Sequence, residues 1–151
     1  MLQISPTLTE LQEIASQLPE QIPYLKMLIL FGSRARGDIH PTSDWDFAAL
    51  YDEELRQASC KDRGFAWFEV PGILGEVFRI NSDEIDVVEL NRCSPLIANF
   101  IARDGILLYE QEPGEFEKFI EAHFMSEAEL KEIERQLRQK IDNFLEEWGL
   151  V

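Results

Sequence analysis

Apolar and polar residues alternate along this chain with two different periods, and the switches between them mark out its elements. Thr7-Leu8-Thr9-Glu10 has the form of a helix capping box, with Thr7 as cap and Glu10 three residues on. Leu8, Leu11, Ile14, Ala15 and Leu18 follow at helical spacing, which predicts a helix ended near Pro19 and Pro23. Leu25 to Phe31 is an apolar run and reads as a buried strand. A short helix carrying Arg34 and Arg36 should stop near Gly37, followed by a loop from Asp38 to Ser43 that contains Pro41. The second strand is expected from about Asp44 to Leu50. Asp52 to Gly64 is polar and reads as a short helical turn and loop.

Phe65 to Ile80 is apolar and predicts a helix, in which Pro71 is tolerated only in the first turn. Ile85 to Leu90 is the third strand. Ser94-Pro95 opens another helix as cap and first helical residue, with Ile97, Phe100 and Ile101 inward, ended by Arg103-Asp104-Gly105. Ile106 to Tyr109 predicts a short strand at the sheet edge, and Pro113-Gly114 breaks the chain. Ser126-Glu127-Ala128-Glu129 is a second capping box that starts a long helix to about Trp148. Its apolar stripe is Leu130, Ile133, Leu137, Ile141, Phe144, Leu145 and Trp148. Leu130 to Ile141 are expected to pack on the core; Phe144 to Trp148 fit either the core or an interface. The elements predict one α/β (α+β) domain over 1–151: a small mixed β-sheet with helices packed on it and a long C-terminal helix. Its core is placed at about 25–109 and a C-terminal helical segment at about 114–148.

Charge narrows the partners. There are 29 acidic residues against 14 basic ones, a formal net charge of −15. Nucleic acid and anionic membrane surfaces are disfavoured, because phosphate binding draws on Lys and Arg. Docking onto a basic protein is compatible with that field, as is a charge that merely keeps the protein soluble. No stretch approaches the ~20 apolar residues of a membrane-spanning helix. The start, Met1 to Pro6, lacks the basic and apolar regions of a signal peptide. Cys60 and Cys93 have no zinc-type spacing and read as free thiols, so a cytoplasmic location is expected.

The chemistry gathers between Leu25 and Leu50. A strand ending in Gly32-Ser33 offers a tight turn, free backbone N–H groups and a hydroxyl, the parts of a phosphate site. The competing reading is an ordinary strand-to-helix turn capped by serine. Asp44 and Asp46 are spaced i, i+2 on a strand and so share a face. Together they would repel unless a cation neutralises them, and they offer hard oxygen ligands to Mg²⁺. Asp86 is a lone acid in a buried-looking strand, which calls for a partner or a metal. Asp83, Glu84 and Glu89 stand close enough to replace it after a one-residue slip of register. Arg34 and Arg36 suit bidentate phosphate contact or pairing with Asp38 or Asp44. His40 and His123 lack partners at ligand spacing. Trp45 and Phe47 alternate with the acids and should face the core. Trp67 or Phe68 could stack an adenine, though a core role is preferred.

Gly32-Ser33, ten residues from Arg34 to Ser43, then Asp44 and Asp46, resembles the signature of nucleotidyltransferases related to DNA polymerase beta. Gly32-Ser33-Arg34-Ala35-Arg36-Gly37 with Ser43-Asp44 resembles its minimal nucleotidyltransferase (MNT) branch, over roughly Leu25 to Tyr109. The resemblance implies a nucleotidyltransferase fold, two Mg²⁺ ions on Asp44, Asp46 and Asp86, and ATP held at Gly32, Ser33 and Arg36. It further implies that AMP passes to a tyrosine hydroxyl of a cognate HEPN-domain ribonuclease toxin, which is thereby neutralised. An antitoxin that blocks its toxin by contact alone, or transfer to another acceptor such as a small molecule, are the alternatives.

Overall fold

The structure, a computed structural model, describes residues 5–38, 44–61, 64 and 68–150. Its centre is β1 (Leu25–Phe31), the apolar run that the sequence marks as a strand. β2 (Trp45–Tyr51) and β4 (Ile106–Glu110) pair with it antiparallel on either side. β3 (Ile85–Glu89) lies parallel to β2, so the order is β3-β2-β1-β4 and the sheet is mixed, as expected. β4 takes the predicted edge and β3 the opposite one.

Alternation along the strands sends two sets of side chains to two faces. Leu28, Leu30, Trp45, Phe47 and Ala49 enter one core, with Leu11 and Ala15 of α1 (Leu8–Ala15) and Cys60 of α4 (Glu53–Cys60). Leu74 and Phe78 of α5 (Val70–Phe78) complete it. Met27, Ile29 and Ala48 enter the other, under Ile101 of α6 (Pro95–Asp104) and the partly buried Phe116 and Phe119 of α7 (Glu115–His123).

Several helices depart from their predicted course. The first ends at Ala15, and α2 (Leu18–Gln21) follows with Pro19 in its first turn. A proline has no N–H to lose there, so Pro19 helps start a helix where the sequence suggests that it ends one. The stretch read as a turn after Tyr51 is the full helix α4, because the Asp52 carboxylate caps it, accepting from the Leu55 N–H at 3.1 Å. α5 begins at Val70, so that Pro71 falls in its first turn; Phe65 and Trp67 lie outside the described residues. Phe68, preferred as core, is 77% exposed.

In α6 the inward face is Ala98, Asn99, Ile101 and Ala102, while Ile97 and Phe100 point outward. Small residues win the inner face because the helix closes on the sheet: a Cβ on Gly105, just past its end, would lie 2.7 Å from Ile29 Cγ2. α7 forms between Pro113-Gly114 and the last helix, where the sequence marks only a break. α8 (Glu127–Glu147) is capped by Ser126 as predicted but has no buried residue. Of the residues expected on the core, Leu130 and Ile133 are only half-buried and Leu137 and Ile141 are exposed. α6 and α7 already cover that face of the sheet and leave α8 no core to enter.

Candidate functional site

The chain leaves β1 through Gly32, whose φ of 75° is open to glycine and strained for any residue with a Cβ. It turns at once into α3 (Ser33–Arg36), the short helix predicted there. The Ala35 and Arg36 N–H groups both donate to the Gly32 carbonyl at 3.1 Å. The N–H groups that open a helix have no carbonyl behind them within it, and here they stand at the end of the sheet. Gly37, at φ 85°, closes the helix.

Asp46 meets this turn directly. Its residue pairs with Phe31 on one side and Asp86 on the other. A Cβ placed on Gly32 would run into the Asp46 carboxylate, 3.1 Å from Cγ and 3.2 Å from Cβ. The glycine is therefore required twice, by its φ and by the carboxylate beside it. Asp46 is half-buried, and its pKa is raised above the ordinary carboxylate value. Burial is the main cause; the charges of Asp86 and then Asp44 add to it, and Arg36 opposes it. Asp44 stands exposed just before β2, outside the strand in which the sequence placed it.

Asp86 is exposed, which corrects the expectation of a buried acid. The apolar neighbours Ile85 and Val87 turn to the core, but β3 is an edge strand, so Asp86 looks out to solvent beside Asp46. The register singles it out: Asp86, not Asp83, Glu84 or Glu89, is the cross-strand neighbour of Asp46. Asp83 and Glu84 belong to the 3-10 turn Ser82–Glu84, and Glu89 accepts an ion pair from the buried Arg56 at 3.0 Å.

The arginines separate. Arg36 Nε pairs with Asp38 at 3.3 Å on the surface, still near enough to act on Asp46. Arg34 lies over the Trp45 ring, with its guanidinium carbon 4.0 Å from the ring centre. Sequence reasoning considered phosphate or carboxylate for Arg34 and missed Trp45. The signal was the residue between Asp44 and Asp46, which alternation turns to the other face. His123 tilts against the Phe119 ring, 4.5 Å between centroids. His40 and the loop 39–43 lie outside the described residues.

The donor chemistry fits a hard divalent cation. Two like charges raise the pKa of Asp46, and a cation at the carboxylates would relieve that repulsion. Among the described residues, no group of three or more His, Cys, Asp or Glu side chains is already arranged to hold one ion. Nor is any helix among them long and apolar enough to cross a membrane.

Comparison with known proteins agrees with this geometry. The family model "Polymerase beta, Nucleotidyltransferase" matches residues 11–114. Among curated proteins, the protein adenylyltransferase MntA of Aphanizomenon flos-aquae (strain 2012/KM1/D3) is 54% identical over 145 residues, covering 96% of this chain and 97% of its own. A crystal structure of a toxin–antitoxin with AMP-PNP shares the fold at a TM-score of 0.57 and 21% identity, over 89% of this chain and 98% of the other. A complex of tri-AMPylated Shewanella oneidensis HEPN toxin with MNT antitoxin does so at 0.52 and 18%, over 89% and 98%.

Proposed function

Because this chain belongs to the polymerase beta nucleotidyltransferase family, we propose that it transfers AMP from ATP to a tyrosine hydroxyl of a HEPN-type toxin protein and thereby neutralises it. The observation that carries this reading is the junction of Gly32 with Asp46, which sets a phosphate-type turn against a half-buried carboxylate of raised pKa. The 54% identical relative is a protein adenylyltransferase, and its chain is matched almost end to end.

In this reading the backbone at Gly32 and Ser33 holds the β- and γ-phosphates, and Arg36 approaches them after releasing Asp38. The acceptor oxygen attacks the α-phosphorus, the bond from that phosphorus to the bridging oxygen breaks, and pyrophosphate leaves. Asp44, Asp46 and Asp86 would hold Mg²⁺. When bound, that ion neutralises phosphate charge and lowers the pKa of the attacking hydroxyl. Asp86, exposed on the edge strand, is open to an acceptor arriving from solvent and takes its proton. Asp46, tucked against Gly32, serves the nucleotide side.

The test is labelling with α-³²P ATP and Mg²⁺, using the purified protein encoded by the neighbouring gene as acceptor. Label on that protein, lost in Asp44→Asn/Asp46→Asn, is the expected result. A stable complex that silences the neighbour's ribonuclease without label would replace transfer by simple blocking. Label that survives the double substitution would refute the assignment of the carboxylates.

A further inference from the structure

We propose that Arg34 is a positioning residue: stacked on Trp45, its guanidinium locks the nucleotide loop to the strand that carries Asp46. The inference rests on the nucleotide site proposed above and assigns Arg34 a part in it other than phosphate binding.

The helix that follows the loop needs such a lock. α3 has four residues, none of them buried, and a glycine at positive φ on each side, Gly32 at 75° and Gly37 at 85°. Its one apolar side chain, Ala35, packs only half-buried against the core. What reaches it from the core is a row of planar groups. Phe78 stacks on Phe47 with centroids 5.6 Å apart and planes 13° from parallel. Phe47 stacks on Trp45 at 6.4 Å and 9°. Trp45 carries the Arg34 guanidinium at 4.0 Å. Trp45 is itself buried, so the cation sits on a ring that cannot drift.

Strand alternation adds the second argument. Trp45 points into the core on one face of the sheet, and Asp46 therefore points to the other. A guanidinium held on the indole is turned away from a triphosphate seated between Gly32 and Asp46. Arg34 thus acts through Trp45. The backbone of Trp45 lies between Asp44 and Asp46, so the stack couples the position of the loop to the position of both acids.

The coupling is measurable. Arg34→Gln and Trp45→Leu should each raise KM for ATP by about tenfold, with kcat changed less than about threefold. The double variant should be no worse than either single one, where independent roles would multiply to about a hundredfold. Arg34→Lys, which keeps a cation over the ring, should stay within about threefold of the parent. Multiplying losses would overturn the proposal. Trp45→Leu opens the core, so a second measurement guards against its misfolding. In a protein with Trp45 as sole tryptophan (Trp67→Phe, Trp148→Tyr), Arg34→Gln should change the indole emission without nucleotide present. Unchanged emission would overturn the stack outright. If the parent chain bound no ATP at all, the nucleotide site would fall and the proposal with it, whereas failure of the proposal alone leaves ATP binding by the parent intact.

Discussion

At the scale of single residues, the site is a conflict held in place. Asp46 is pressed against Gly32 and pairs across the sheet with Asp86; burial first, then the charges of Asp86 and Asp44, hold its pKa above the ordinary carboxylate value. A carboxylate whose pKa is raised by folding binds a proton more tightly in the native state than in the unfolded chain. Its ionised form at neutral pH therefore works against stability, and stability is regained as pH falls through the native pKa. Asp46→Asn should accordingly raise the melting temperature at pH 7 by about 2 °C, a small shift because solvent screens a half-buried group. The gain should shrink as pH falls through the native pKa of Asp46 and vanish below the ordinary carboxylate pKa of the unfolded chain, and transfer should be abolished throughout. A melting temperature that falls at pH 7 would show that the carboxylate is stabilising and the repulsion negligible. Gly32→Ala should have the opposite effect on stability. It forces a Cβ into positive φ and into the Asp46 carboxylate, so it should destabilise by about 2 kcal/mol in denaturant melts while removing activity. The approach of Gly32, Asp44 and Asp46 was legible because their spacing carries the pattern. The exposure of Asp86 was not, because Ile85 and Val87 look alike in a central and an edge strand, and only the sheet order tells them apart.

At the scale of elements, the two ends of the helical complement behave differently. α6 is fitted tightly to the sheet: beyond its last turn, Gly105 brings backbone within contact of Ile29. Gly105→Ala should cost about 2 kcal/mol, the range for overpacking a closed core, read as a drop in the denaturation midpoint. α8 is the reverse. Its stripe includes Ile141, Phe144 at 54% exposure and Trp148 at 68%. Replacing all three with serine should leave the melting temperature within about 1 °C, whereas Leu74→Ala in the buried α5 should cost about 2–5 kcal/mol. A large loss from the triple serine variant would show that the stripe is packed after all. The contrast explains what the sequence reveals about elements. Short apolar runs placed the four strands, and cap residues the helix starts at Ser94 and Ser126, because runs and caps are local. Burial of a helix face is not local. Leu137 has the same periodic neighbours whether or not a sheet face remains to receive it, and α6 and α7 had already filled that face. Pro19 misled, since a proline marks a helix start or a helix end according to which side continues, whereas Pro71 lies in a first turn as expected.

At the scale of the whole molecule, the controlling quantity is the net charge of −15. Ions of that one sign repel each other across a small body, and the repulsion acts on every copy that meets another. A macromolecular partner must therefore contribute either an uncharged surface large enough to outweigh that field or a positive one that exploits it. An acceptor protein with a basic docking surface would supply the second. Such docking predicts that association of this chain with the neighbouring gene's protein is fast in dilute buffer and slows by about tenfold or more between 50 and 500 mM NaCl, with dissociation changed far less. The affinity for ATP should weaken less over the same range, because the proposed nucleotide site is built on a half-buried carboxylate and on backbone groups that salt screens poorly. Stopped-flow mixing of the two proteins at several salt concentrations separates the cases. A rate that ignores salt would place the acceptor's recognition on apolar surface, and the acidic charge would then serve solubility alone.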